Sequence, residues 1–106
     1  MTYVFDIDGT ICSTEASNYE GSRPIYSRID EVNRLYNQGH TIIFFTARGM
    51  GRHNNNAGLA YFDFFQLTQH QLNTWGVKYN YLFLGKPSGD IYVDDKGVKD
   101  EDFFAN

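Results

Sequence analysis

Tyr3-Val4-Phe5-Asp6-Ile7-Asp8-Gly9-Thr10 is the stretch on which the reading of the fold turns. An apolar, β-prone run ends in two aspartates spaced by one residue, followed by Gly-Thr. In a strand, residues two apart face the same way, so Asp6 and Asp8 leave the strand end together. Like charges that close repel unless a cation or a proton is shared between them. Gly9 lets the chain turn sharply, and Thr10 offers a hydroxyl and a backbone N–H to an anion. An ordinary Asp-Gly turn after a strand accounts for these residues equally well on their own. The rest of the chain decides between the two readings.

Outward from that stretch, residues 2–7 read as a buried strand and residues 12–23, polar and without periodicity, as a loop. Pro24 suits the first turn of a helix. Ile25, Ile29, Val32 and Leu35/Tyr36 then recur at helical spacing, and Gly39 stands where a helix C′ residue would. Thr41–Phe45 is a continuous apolar run, read as a strand buried on both faces, and it ends in Thr46-Ala47-Arg48-Gly49. A polar loop, 50–58, leads to a second helix marked by Tyr61, Phe64/Phe65, Thr68, Leu72 and Trp75 and closed by Gly76. Tyr81–Leu84 reads as a third strand running into Gly85-Lys86-Pro87, and Ile91–Val93 as a fourth running into Asp94-Asp95. Phe103 and Phe104 pin the acidic tail to the body. The order β-α-β-α-β-β predicts one domain over residues 1–106, a Rossmann-like three-layer α/β/α sandwich. Its sheet is small and mainly parallel, about four strands in the order 4-1-2-3, because the short last link places strand 4 beside strand 1.

Composition narrows the function classes. A chain of 106 residues suits one small domain. Its 9 Phe and 8 Tyr supply a large buried area from few residues. The net charge of −4, with no basic run, argues against a general nucleic-acid binder. The single cysteine, Cys12, makes no internal disulfide and fits a reducing compartment. With no signal-type leader and no apolar run of membrane-spanning length, the expectation is a soluble cytoplasmic protein without a membrane partner.

Four polar clusters each follow a strand end: Asp6/Asp8, Thr46/Arg48, Lys86 and Asp94/Asp95. In a parallel sheet those ends share one edge, where open α/β sheets bind ligands. Carboxylates, a hydroxyl, an ammonium and a guanidinium together suit a phosphate held against a divalent metal. Carboxylate oxygens match Mg²⁺, and there is no His/Cys set with zinc spacing. A carboxylate is a competent nucleophile toward phosphorus, a second carboxyl can serve as acid and base, and Lys86 and Thr46 balance the phosphoryl charge.

Taken motif by motif, Asp6-Ile7-Asp8-Gly9-Thr10, Thr46, Lys86 and Asp94-Asp95, the chain resembles the haloacid dehalogenase superfamily of phosphohydrolases. Thr46-Ala47-Arg48, Gly85-Lys86-Pro87, Val93-Asp94-Asp95-Lys96 and the acidic Phe-containing tail are similar to a small subgroup of capsule-biosynthesis phosphatases. The resemblance implies that Asp6 is the nucleophile and an Mg²⁺ ligand, and that Asp8 is the general acid/base whose backbone carbonyl also binds the metal. It implies that Thr46 and Lys86 hold the phosphoryl group. Asp95 binds Mg²⁺ and Asp94 orients Lys86 or a metal water, or the two exchange roles; Asp100 is a further supporting acid. Gly9, Thr10, Ala47, Arg48 and Arg52 are the candidate substrate-binding residues. Residues 11–23 and 49–75 are too short for an inserted cap domain, which implies a capless member, with closure by homo-oligomerisation as one option.

The implied substrate is a small sugar phosphate of polysaccharide or capsule-type biosynthesis. The alternatives are a nucleotide or nucleic-acid-end phosphatase, against which the acidic balance weighs, and a non-catalytic binding module. A phospho-accepting receiver domain fits poorly, since its accepting Asp belongs on the third strand. A calcium loop fails because Ser17 stands where a bidentate Glu is needed. His53 reads as a solvated loop residue, Cys12 as a packed thiol, and Tyr61–Phe65 as core in preference to a subunit contact.

Overall fold

Thr41–Thr46 sets the frame, because alternate residues of this run meet different environments. Ile42, Phe44 and Thr46 are buried, whereas Thr41, Ile43 and Phe45 are only half-buried. The computed structural model describes residues 1–105. Its strands are β1 (Thr2–Phe5), β2 (Cys12–Ser13), β3 (Arg23–Pro24), β4 (Thr41–Thr46) and β5 (Tyr81–Leu84). Its helices are α1 (Tyr26–Asn37), α2 (Ala57–Thr74) and α3 (Asp100–Phe103), with a 3₁₀ turn at Tyr19–Gly21. No helix is long and apolar enough to cross a membrane among the described residues.

The α/β class holds. β1, β4 and β5 form a parallel sheet in that order, with Phe5 opposite Phe44 and Phe44 opposite Leu82. β2 and β3 form a separate antiparallel pair that ties Cys12 to Pro24. Three of the four expected strands are therefore present in the expected order. The fourth is a correction: Ile91–Val93 is not a strand, and every residue from Pro87 to Lys99 is exposed. Local bonds hold this segment in tight turns instead. The Tyr92 hydroxyl donates to the Pro87 carbonyl at 2.5 Å and accepts the Gly89 N–H at 3.0 Å. The Asp94 carboxylate accepts the Lys96 and Gly97 N–H groups at 2.6 Å each.

The apolar periodicity placed the helices well. Ile29, Val32 and Leu35 are the buried face of α1, each contributing about 1.5–3 kcal/mol by leaving water. Pro24 lies in β3 and not in the helix, whose N-cap position is Ile25. Gly39, at φ +94°, is the expected C′ residue. α2 starts earlier than Tyr61 because the Asn56 side chain accepts the Leu59 N–H at 3.1 Å, an N-cap worth about 1 kcal/mol.

One cluster holds the structure together. It joins Phe5 and Ile7, Ile29, Val32 and Leu35 of α1, Ile42 and Phe44 of β4, and Leu72 of α2, with Phe103 and Phe104 packed against it. The rings of Phe103 and Phe104 meet that of Phe5 at 5.4 and 6.2 Å, so the tail is pinned as expected. A three-layer sandwich has helices against both faces of the sheet. In the structure all three helices feed the cluster on the Phe5–Phe44 face.

Candidate functional site

β1 ends at Phe5, and the chain then winds tightly. The Ile7 carbonyl accepts the N–H groups of Thr10 and Ile11 at 3.0 and 2.9 Å, and Gly9 takes φ +79°. This turn leaves Asp6 and Asp8 at the C-terminal end of the sheet, on one cavity of about 580 Å³. Thr46, the last residue of β4, and Ala47 and Arg48 just after it line the same cavity, as does Arg52. The ends of β1 and β4 and the loop after β4 therefore bring six of the candidate residues together.

Lys86 completes the nearest group. Its N–H donates to the Thr46 carbonyl at 3.2 Å, fixing the end of β5 to the end of β4. Its Nζ lies 3.6 Å from Asp6 Oδ2 and 4.5 Å from the centre of the Tyr92 ring. The other Asp6 oxygen, Oδ1, accepts the Ile7 N–H at 2.8 Å. Burial pushes the Asp6 carboxyl above its ordinary value and the Asp8 charge adds to this, against the opposing pull of Lys86 and of the Ile7 N–H. A half-buried carboxylate strained in this way is relieved by a cation or a proton.

Asp8 is held differently. Arg48 grips it with two parallel bonds, Nε to Oδ2 at 3.0 Å and Nη2 to Oδ1 at 2.9 Å. The Thr14 hydroxyl donates to Oδ1 at 2.5 Å. Arg48 is expected from the sequence to contact substrate; here its side chain is fully buried. Its remaining N–H donors go to Thr68 Oγ1 at 3.1 Å, Gln71 Oε1 at 2.5 Å and Ser22 Oγ at 3.4 Å, so all five are taken. Arg48 therefore orients Asp8 and leaves no N–H for a ligand. Thr46 Oγ1 accepts the Arg48 N–H at 3.1 Å, which leaves the Thr46 hydroxyl hydrogen to be donated.

Other candidates land elsewhere. The Thr10 N–H expected to meet an anion donates to Ile7, and its carbonyl accepts Arg28 Nη1 at 3.0 Å. Gly9 serves the turn. Asp94 caps its own loop, whose N–H groups hold its carboxyl below the ordinary value, and Asp95 is exposed. Neither reaches Asp6 and Asp8 in a common metal-sized group. Among the described residues no three His, Cys, Asp or Glu side chains converge in that way. Asp100 pairs with Arg28 at 2.7 Å and so supports the tail, not the cavity. His53 pairs with Asp63 at 2.6 Å, and Cys12 is buried, its thiol pushed up by desolvation.

Sequence reasoning missed Thr14, Ser17, Tyr19 and Ser88, which line the cavity, and Thr68 and Gln71, which hold Arg48. Ser17 lies in a left-handed turn at φ +60°, a conformation that leaves no mark in its own residue type. For Thr68 and Gln71 there was a signal: two polar residues interrupting the buried stripe of α2 call for a buried polar partner.

For a metal, the donor set consists of the Asp6 carboxylate on the cavity, with Asp8 beside it. Mg²⁺ is commonly held by one or two carboxylates, several waters and substrate phosphate oxygens, and an Asp6 carboxyl raised by burial and by a neighbouring negative charge favours a cation. These residues fit Mg²⁺ held together with a substrate phosphate, but they do not form a cage that binds it unaided.

No family model matches the chain, and no curated protein matches it. Among solved structures it is similar to the crystal structure of a structural-genomics target from Vibrio cholerae, with a TM-score of 0.90 at 25% sequence identity. The match covers 99% of this chain and 88% of that one, so the likeness extends over nearly the whole chain.

Proposed function

We propose that the chain is a Mg²⁺-dependent phosphomonoester hydrolase working through an aspartyl-phosphate on Asp6. One observation carries this reading: a half-buried carboxylate at the C-terminal sheet edge, 3.6 Å from Lys86, shares a cavity with a second carboxylate fixed by a buried arginine.

In the proposed reaction Asp6 Oδ2 attacks phosphorus and the bond from phosphorus to the ester oxygen breaks. The leaving oxygen takes a proton from Asp8, which enters this step as the protonated acid, its Oδ2 proton replacing the bond to Arg48 Nε while Arg48 Nη2 and Thr14 still orient it through Oδ1. Asp8 then takes a proton from water, the hydroxide attacks phosphorus, and Asp6 leaves as a carboxylate with release of inorganic phosphate. Lys86 and the Thr46 hydroxyl bind the phosphoryl oxygens through both steps. When bound beside Asp6, Mg²⁺ supplies positive charge that lets an anionic nucleophile approach an anionic phosphate. The Ser, Thr and Tyr groups of the cavity suit a hydroxyl-rich leaving group, which supports a sugar phosphate, in capsule-type biosynthesis by the resemblance given above.

The same reading extends to the fourth strand. β1 is an edge strand, and Ile91 and Val93 are 82% and 91% exposed, an unfavourable place for two β-branched apolar residues. Pairing of Ile91–Val93 with β1 in the 4-1-2-3 order would bring Asp94 and Asp95 to the edge that carries Asp6. Hydrogen exchange of residues 91–95 then slows when Mg²⁺ and vanadate are added; unchanged exchange with both bound contradicts the added strand.

The activity itself is tested by phosphate release from phenyl phosphate and from a sugar-phosphate and nucleotide panel. The expected result is turnover that needs Mg²⁺ and is blocked by vanadate. No release from any member, with or without metal, overturns the reading in favour of a binding module.

A further inference from the structure

The side of the sheet away from the core cluster is bare. Register places Val4, Ile43 and Tyr81 in one row across β1, β4 and β5, and Phe45 and Phe83 in the next. None of the five belongs to the core cluster or packs against it. Val4, Tyr81 and Phe83 are 61%, 55% and 50% exposed, and the rings of Tyr81 and Phe83 stack at 6.0 Å. The remaining strand positions on this face are Thr2 and Thr41, so among the described residues the strands place no charged side chain on it. Parallel sheets are otherwise covered on both faces. β1, β4 and β5 are reached by two crossovers in one direction, and crossovers of one hand lay their helices on one side. The described chain has no element left with which to cover the other side.

We propose that this face is the contact surface between two copies of the chain, packed sheet against sheet about a two-fold axis near Ile43. Charge and shape both select a second copy. In a chain of net charge −4, a charge-free face is where two copies meet without repulsion. The face is also stepped, with bulky aromatics on β5 and only Thr2 and Val4 on β1. A two-fold axis through β4 lays the high β5 side of one copy over the low β1 side of the other, which makes the face complementary to itself. Aromatic side chains carry about 150–250 Å² each, so the half-exposed rings and their neighbours amount to roughly 400 Å² of apolar surface, the size of the largest patch on a typical monomer (about 300–600 Å²), which often marks an interaction site. Two such faces form the apolar centre of a standard interface of about 1,600 Å², with the loops at the sheet ends as its rim.

The test is the mass in solution by sedimentation, across tens of micromolar, of the wild type, Phe83→Lys and Phe62→Lys. Both substituted residues are exposed, so neither change disturbs the core; circular dichroism checks folding. The expected result is a dimer for the wild type and for Phe62→Lys, and an association at least about 100-fold weaker for Phe83→Lys, the loss of a central apolar anchor. As a second variant, Ile43→Cys is expected to oxidise to a covalent dimer, with Cys12 buried and out of reach. A monomeric wild type overturns the proposal, as does a dimer that survives Phe83→Lys, which would place pairing at a strand edge. Loss of the dimer in Phe62→Lys alone moves the contact to the outer side of α2 and overturns it too.

Discussion

Asp8→Ala is expected to cost about 3 kcal/mol of folding stability, because removing one partner of a buried ion pair strands the other. The stranded group is Arg48, whose side chain has no exposure to solvent. Thr68, Gln71 and Ser22 would still accept from it, but all three are neutral. The loss is a large fraction of the roughly 5–15 kcal/mol that holds a domain together. For a chain of this size it corresponds to a fall on the order of 15 °C in the melting temperature. Glu31→Ala is the control. It removes the same kind of charge from Arg34, but the pair lies one helical turn apart on the surface of α1, where such pairs contribute roughly 0.2–0.5 kcal/mol. Urea unfolding of the two variants checks the contrast. Equal, small losses would contradict the assignment of Arg48 as the buried anchor of Asp8.

Asp6→Asn is expected to lower turnover by about 10³-fold or more while leaving the protein slightly more stable. The first effect follows from the proposed chemistry, since an amide oxygen does not displace an ester from phosphorus and the loss of a nucleophile is not compensated by its neighbours. The second follows from the raised Asp6 carboxyl. Burial, aided by Asp8, makes the folded protein hold this proton to a higher pH than the unfolded chain, whose value is near 3.8. The folded state thus binds more protons across that window, so stability falls as pH rises through it and stays lower above the folded value. Asparagine has no charge to desolvate and escapes the penalty. With the Asp6 side chain 38% exposed, screening keeps the gain below about 1 kcal/mol, which is a few degrees at neutral pH. At acid pH, below the unfolded value, the difference vanishes. Melting curves at neutral and acid pH check the second effect and phosphate release checks the first. A variant less stable than the wild type at neutral pH would contradict the electrostatic account of the cavity.

These two residues also mark how far the sequence carries. The three sheet strands, their order and the buried faces of the helices follow from patterns that repeat along the chain, such as Ile29-Val32-Leu35. The convergence of Asp6, Asp8, Thr46 and Lys86 followed from topology, since parallel strand ends share an edge. What was hidden depends on long-range pairing of single residues. Arg48 read as a ligand contact because nothing near it in sequence announces that Asp8, Thr68 and Gln71 surround it. Ile91–Val93 has the composition of a strand, yet Tyr92 and Asp94 close local turns that compete with the sheet, and a pattern of three residues is too short to reveal which wins. The bare face was hidden for a related reason. Ile43 and Phe45 look the same in sequence as Ile42 and Phe44, and only the register of the neighbouring strands separates covered from uncovered.

The central claim is a covalent bond between phosphorus and Asp6, and the measurement that meets it most directly is the mass of the Asp6-containing peptide. Enzyme mixed with phenyl phosphate and Mg²⁺ is quenched in acid during turnover, digested and weighed. The account predicts that this peptide, in the wild type and not in Asp6→Asn, gains the mass of one phosphoryl group, and that hydroxylamine removes it. Steady release of phosphate by the wild type with no such adduct on Asp6, or with the adduct on another residue, would contradict it.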